Sequence, residues 1–195
     1  MRIIAIGASA GGPHALAEIL SALPARLGAA VIIVQHVNRE FSAGLAGWLN
    51  TQTDLPVCIA KENTRPEMGR VYVACTDEHL ILNRDFTFSY VPGPRETPYR
   101  PSIDVFFRSL ALCYAKASKC RDCMAILLTG MGKDGAMGLL ELRQKGCHTI
   151  AQDEQSSAIY GMPKAARDLG AAKEILPLHQ IAPAILKYLH IYTIT

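Results

Sequence analysis

The chain has 195 residues, half of them apolar and 19% charged, with a formal net charge of +3. This composition excludes a disordered or collagenous protein, and the small, dispersed positive charge makes no case for binding nucleic acid. No run approaches the roughly 20 apolar residues that cross a bilayer, and the first residues lack the basic and apolar regions of an export signal, which predicts a cytoplasmic protein that is not membrane-inserted. A chain of this length can bury roughly 70% of the surface its unfolded state exposes, so a single domain over 1–195 is expected to stand without disulfide or metal. The six cysteines, Cys58, Cys75, Cys113, Cys120, Cys123 and Cys147, lie mostly in apolar segments and read as reduced thiols.

The first element is "RIIAIGAS", a short apolar run closed by turn residues, and "GPHALAEILSAL" follows it with helical spacing from Ala15 through Leu16, Ile19, Leu20 and Leu23. "AAVIIVQH" and "SAGLAGWLNTQ" repeat that strand and helix. Strands that are apolar on both faces belong to a parallel sheet covered by helices. Residues 56–91 change texture: "VCIAKE", "RVYVAC", "HLILN" and "TFSYV" alternate with Gly, Asn and Asp and are read as a hairpin-rich insertion. After the Pro-rich "VPGPRETPYRP" comes a long amphipathic helix, "SIDVFFRSLALCYAKA", with Ser102 as its N-cap. "CMAILLTG" and "HTIAQ" are further strands; "AMGLLELRQKG", closed by Gly146, "KAARDLG" and "IAPAILKYL" are helices. The order predicts an α/β fold: a doubly wound, mostly parallel, Rossmann-like three-layer sheet with helices on both faces and an antiparallel hairpin insertion.

The turn after the first strand, "GASAGG", has two readings. A dinucleotide loop needs glycine at the position of Ser9 and an acid at the end of the second strand, where this chain has His36. The alternative is G-x-S-x-G, a sharp turn that presents a serine. Serine is a weak nucleophile until a neighbouring base takes its proton, and His36 supplies that base type. A third group must hold the imidazole tautomer and stabilise the imidazolium. Asp134, in the glycine-rich "GMGKDGAMG" after another strand, can do so. Three parallel strands thus bring Ser9, His36 and Asp134 to one sheet edge, and a ring nitrogen of His36 is expected within hydrogen-bonding reach of Ser9 Oγ, with Asp134 on the other nitrogen. Taken singly, each residue has structural work available: Ser9 and Asp134 as helix caps, His36 as a satisfied strand-end group.

"IGASAGGPHAL", "VIIVQHV", "YRPSIDVFFRSLA", "ILLTGMGKDGAMGLLELRQKG" and "TIAQDEQSSAIYGMPKAARDLGAA" together resemble the catalytic domain of the CheB-type chemotaxis protein-glutamate methylesterases, over nearly the whole chain. The resemblance implies hydrolysis of glutamate γ-methyl esters on the cytoplasmic helices of methyl-accepting chemoreceptors, releasing methanol, often with deamidation of particular glutamines. It places the family's serine, histidine and aspartate on Ser9, His36 and Asp134. The sequence departs from the family pattern at Ala10, where threonine is common, and at "QHVNREFS". The family usually carries an N-terminal phosphorylation receiver, whereas this sequence starts at the first catalytic strand. A chain without that receiver is expected to escape its inhibition, with any control coming from a chemosensory protein in trans.

An ester hydrolase of this type also needs backbone N–H donors for the oxyanion. Ala10 at the start of the first helix and Met131 and Gly132 in the glycine-rich loop are the candidates. No cofactor is implied, and His14, His79, His148, His179 and His190 show no metal-ligand spacing. Cys120 and Cys123 form a lone C-x-x-C without the second pair a zinc site wants. Two rival functions remain open on the residues: a catalytically idle module that binds receptor or chemosensory partners through the same cleft, and a nucleotide-binding regulator using Gly11 and Gly12.

Overall fold

The apolar runs pair in parallel and in the order that puts the first strand near the middle. The computed structural model describes residues 1–114 and 122–190. Its main sheet contains β1 (Ile3–Ala8), β2 (Ala30–Gln35), β3 (Val57–Ile59), β4 (Val71–Val73), β7 (Cys123–Leu127), β8 (His148–Gln152) and β9 (Glu174–Leu176), in the order β3-β4-β2-β1-β7-β8-β9. Every pairing in it is parallel. The helices are α1 (Gly12–Ser21), α2 (Arg39–Asn50), α3 (Ile103–Cys113), α4 (Ala136–Gln144), α5 (Met162–Asp168) and α6 (Leu178–Tyr188).

Side-chain alternation along the central strands explains why their sequences look uniformly apolar. Ile3 and Ala5 of β1, Ala30, Ile32 and Val34 of β2, and Cys123, Ala125 and Leu127 of β7 enter one core with Phe106, Phe107 and Leu110 of α3 and Leu139 and Leu142 of α4. Ile4, Ile6, Val31, Ile33, Met124 and Ile126 enter a second core on the other face, with Leu16, Ile19 and Leu20 of α1, Leu49 of α2 and Ile181 and Ile185 of α6. Both faces are covered, so no strand residue in β1, β2 or β7 faces water. The doubly wound architecture expected from the sequence is what forms.

The insertion is smaller than the sequence reading has it. Only β5 (His79–Leu82) and β6 (Phe88–Val91) make an antiparallel hairpin, closed through Asn83 and Thr87. The two earlier candidates, β3 and β4, are the parallel edge of the main sheet. Each is three residues long and they are joined without a helix, so the usual signal of a parallel crossover is missing from their sequence. β9, also three residues long and partly exposed, carries too weak an apolar pattern to be anticipated. α3 begins as expected, with the Ser102 side chain accepting from Val105 N–H. The continuation of that expected helix past residue 114, and Cys120 of the C-x-x-C pair, lie outside the described residues.

Candidate active site

Register places the two strand ends side by side. Ala8 pairs with Gln35 and the His36 N–H donates to the Ala8 carbonyl at 3.0 Å, so Ser9 and His36 leave adjacent parallel strands at the same level. On the other side of β1, Gly7 pairs with Leu127, and the Ser9 N–H donates to the Thr129 carbonyl at 3.0 Å. The Ser9 carbonyl accepts from Gly12 N–H at 2.8 Å and from Gln35 Nε2 at 2.9 Å. Three bonds therefore hold the backbone of Ser9, and its hydroxyl makes none among the described residues. Ser9 does not cap α1: the N-cap is Gly11, at φ 80, and it uses no side chain. A Cβ at Gly11 would meet Ala158 at 2.6 Å, so glycine is required there both for its backbone and for space.

Asp134 is likewise no cap for α4, whose N-cap is Gly135. Its carboxylate lies instead at the N-terminus of α3. Oδ2 accepts from Ile103 N–H at 2.7 Å and from His36 Nε2 at 2.8 Å; Oδ1 accepts from Ser102 Oγ at 2.8 Å and from Asp104 N–H at 3.1 Å. Burial by itself would raise the Asp134 pKa, but the bonds from His36, Ile103, Asp104 and Ser102 outweigh it and hold the carboxyl below its ordinary value. The aligned amides of the first turn of α3 favour the same charge. The neighbouring Asp104 shifts oppositely, pushed up mainly by burial and then by the nearby Asp134 charge, although it accepts from Gly138 N–H at 2.6 Å.

The His36 and Asp134 side chains are 8% and 7% exposed. With Nε2–H donated to Asp134, the ring nitrogen left to act as a base is Nδ1, which is buried and has no hydrogen-bond partner among the described residues. The expected Ser9–His36 hydrogen bond is therefore not formed. Bonds of this kind often tighten only around a bound substrate. Tyr99 stacks on the His36 ring, with centroids 4.4 Å apart and planes 6° from parallel.

The Ser9 amide is committed to Thr129, so it is not a free donor. By contrast, the N–H groups of Ala10, Met131 and Gly132 donate to no acceptor among the described residues, and all three residues are exposed. The glycine-rich loop that carries Met131 and Gly132 is braced by 159–162. Gly130 N–H donates to Ile159 O at 3.0 Å, and Gly130 O accepts from Gly161 and Met162 at 3.1 and 2.8 Å. Thr129 Oγ1 donates to Ala10 O at 2.9 Å and accepts from Ile159 N–H at 2.9 Å, while Gln152 Oε1 accepts from Thr129 N–H at 2.8 Å. Gln35, Tyr99, Thr129 and Gln152, and the contact of Ser102 with Asp134, are the parts that reasoning from the sequence missed. The one signal for them was that all five lie in the stretches that carry the family resemblance, "VIIVQHV", "YRPSIDVFFRSLA", "ILLTGMG" and "TIAQDE".

Comparison with known proteins decides the family. The profile described as CheB methylesterase matches residues 4–185. The chain belongs to the CheB methylesterase family. A protein-glutamate methylesterase/protein-glutamine glutaminase of Burkholderia orbicola is 54% identical over 184 residues, covering 94% of this chain and 53% of that protein. One of Mesorhizobium japonicum is 49% identical over 186 residues, covering 95% and 53%. The crystal structure of the Thermotoga maritima CheB methylesterase catalytic domain matches with a TM-score of 0.89 at 31% identity, covering 95% of this chain and 97% of that one. The chain thus spans about half the length of these curated relatives and nearly the whole of a CheB catalytic domain.

Within this CheB fold the glycine at 130 is sterically obligatory. A Cβ there would stand 2.5 Å from Met162 Sδ and 2.6 Å from Ser9 Cβ. Gly130→Ala is expected to cost about 1–3 kcal/mol through overpacking, lowering the melting temperature by roughly 2–12 °C. Thermal unfolding followed by circular dichroism checks it; an unchanged midpoint would mean the loop yields freely.

Proposed function

We propose that this domain is a protein-glutamate methylesterase that uses Ser9 as nucleophile, His36 as general base and Asp134 as the group that orients and charges-balances His36. The observation that carries the reading is the Asp134–His36 pair at 2.8 Å, which assigns the proton to Nε2 and leaves Nδ1 as the basic nitrogen at the strand end beside Ser9. In the reaction Ser9 Oγ attacks the γ-carbonyl of a methylated glutamate while Nδ1 takes its proton. The imidazolium returns that proton to the departing methoxide, giving methanol and an acyl-enzyme. Water, activated by the same nitrogen, releases the free glutamate. N–H groups of Ala10, Met131 or Gly132 are the proposed donors to the oxyanion. A glutamine side chain fits the same sequence of steps with ammonia leaving, which supports glutaminase activity in the same site. The substrate this reading names is the cytoplasmic helical region of a methyl-accepting chemoreceptor.

Among the described residues no helix is long and apolar enough to cross a membrane, which suits an enzyme that meets its substrate at the receptor's cytoplasmic end. The direct test incubates the purified protein with membranes bearing receptor methylated with a radioactive methyl group and collects volatile methanol. Methanol release above the uncatalysed rate is expected. Receptor binding without release would instead favour a module that only docks.

A further inference from the structure

We propose that Tyr99 is a positioning residue for His36: its ring fixes the plane of the imidazole and lies against the positive charge that forms on it during hydrolysis. The inference rests on the methylesterase reading for its kinetic consequence but on geometry for its substance.

The segment joining β6 to α3 is held from beneath by one fully buried histidine of the hairpin. His79 Nδ1 accepts the Ser102 N–H at 3.1 Å, which leaves Nε2 carrying the proton and donating to Pro94 O at 3.2 Å, with Thr97 Oγ1 also at 3.2 Å. The Thr97 hydroxyl in turn donates to Pro94 O at 3.0 Å. The segment is therefore anchored at 94, at 97 and at 102, and Ser102 Oγ continues into Asp134. Tyr99 lies between those anchors. Its ring stacks within 6° of parallel on His36, and its hydroxyl occupies the space a Cβ at Gly132 would need, 2.6 Å from that position. The glycine, at φ 85, thus makes room for the end of the tyrosine.

Consider what holds the His36 ring. Asp134 restrains one atom, Nε2, and a single bond leaves the ring free to rock about it. A parallel aromatic face removes that freedom, because rotation of the imidazole would drive its edge into the phenol. Nδ1 has no hydrogen bond among the described residues to steady it, so the direction in which it offers its lone pair depends on the plane of the ring. When Nδ1 takes the Ser9 proton, the electron-rich face of Tyr99 is already in place to attract the imidazolium. The tyrosine acts through His36 and, unlike Ser9 and His36, exchanges no proton and forms no bond in the reaction.

The experiment compares the unsubstituted protein with Tyr99→Phe, which keeps the stack and loses the hydroxyl, and Tyr99→Leu, which loses both. Three readouts are taken: kcat and KM for methanol release, the rate at which a fluorophosphonate labels Ser9, and the proton NMR position of His36 Cε1–H. Tyr99→Leu should lower kcat by between about tenfold and 10²-fold with KM little changed, since a small misplacement of a reacting group costs that much. It should slow labelling in parallel and remove the upfield ring-current shift of the His36 resonance. Tyr99→Phe should restore all three. A leucine variant with the unsubstituted kcat, or a phenylalanine variant as slow as leucine, overturns the proposal. Should the protein release no methanol at all, the methylesterase reading fails while this one is still decided by labelling: rates that rank Tyr and Phe above Leu uphold it, and equal rates, zero included, end it.

Discussion

Ser9→Ala is expected to reduce methanol release by about 10⁵- to 10⁶-fold, because it removes the atom that forms the acyl-enzyme and leaves only substrate binding and oxyanion donors. The fold should not notice. The Ser9 backbone is held through its amide and carbonyl, by Thr129, Gly12 and Gln35, and none of those bonds involves the hydroxyl. The variant should therefore melt at the unsubstituted temperature and bind methylated receptor as before. His36→Ala should fall by a similar factor, and the double variant should be no slower than either single one, since the two groups act as a unit. Methanol release by Ser9→Ala at even a tenth of the unsubstituted rate would move the nucleophile elsewhere.

The three residues in this scheme were legible from the sequence because each is announced locally. Ser9 sits in a glycine-rich turn after an apolar run, His36 ends the next such run, and Asp134 lies in a second glycine-rich turn. Parallel pairing does the rest, since strands of matched register must deliver their C-terminal residues to one edge. What surrounds them was not legible, because it depends on approaches between distant segments that leave no periodic trace. Nothing in "ETPYRP" says that Tyr99 will cover an imidazole, and nothing in "VQH" says that Gln35 will reach back to the Ser9 carbonyl. Ser102 shows the limit well. Its capping of α3 follows from local chemistry, whereas the bond from its hydroxyl to Asp134 needs the fold. The misreading of β3 and β4 has the same origin: three apolar residues pattern alike in a hairpin and at a parallel edge, and only the partner strand tells them apart.

Asp134→Asn carries the second large effect, and its cause can be traced atom by atom. Each carboxylate oxygen faces a backbone N–H that cannot reverse its role, Ile103 on Oδ2 and Asp104 on Oδ1. An asparagine must turn its NH₂ toward one of them whichever way it is oriented, leaving a buried donor unsatisfied at a cost of about 1–3 kcal/mol. If the NH₂ takes the Oδ2 position, His36 must accept at Nε2, and the ring proton moves to Nδ1, where it blocks the base. If the oxygen takes that position, the tautomer survives but the negative charge that stabilises the imidazolium is gone. Activity should fall by up to about 10⁴-fold, as when a triad aspartate is neutralised in other serine hydrolases. The stability difference should also depend on pH with a definite sign. The folded-state pKa of Asp134 is held below its ordinary value, so the native protein binds fewer protons there than the unfolded chain. Its stabilising contribution is complete above the ordinary carboxylate range and is lost as pH falls through the lowered value. The gap in melting temperature between the unsubstituted protein and Asp134→Asn should accordingly be widest near neutrality and narrow in acid. A gap that held constant or widened on acidification would mean that the carboxylate is not the charged hub its four donors imply.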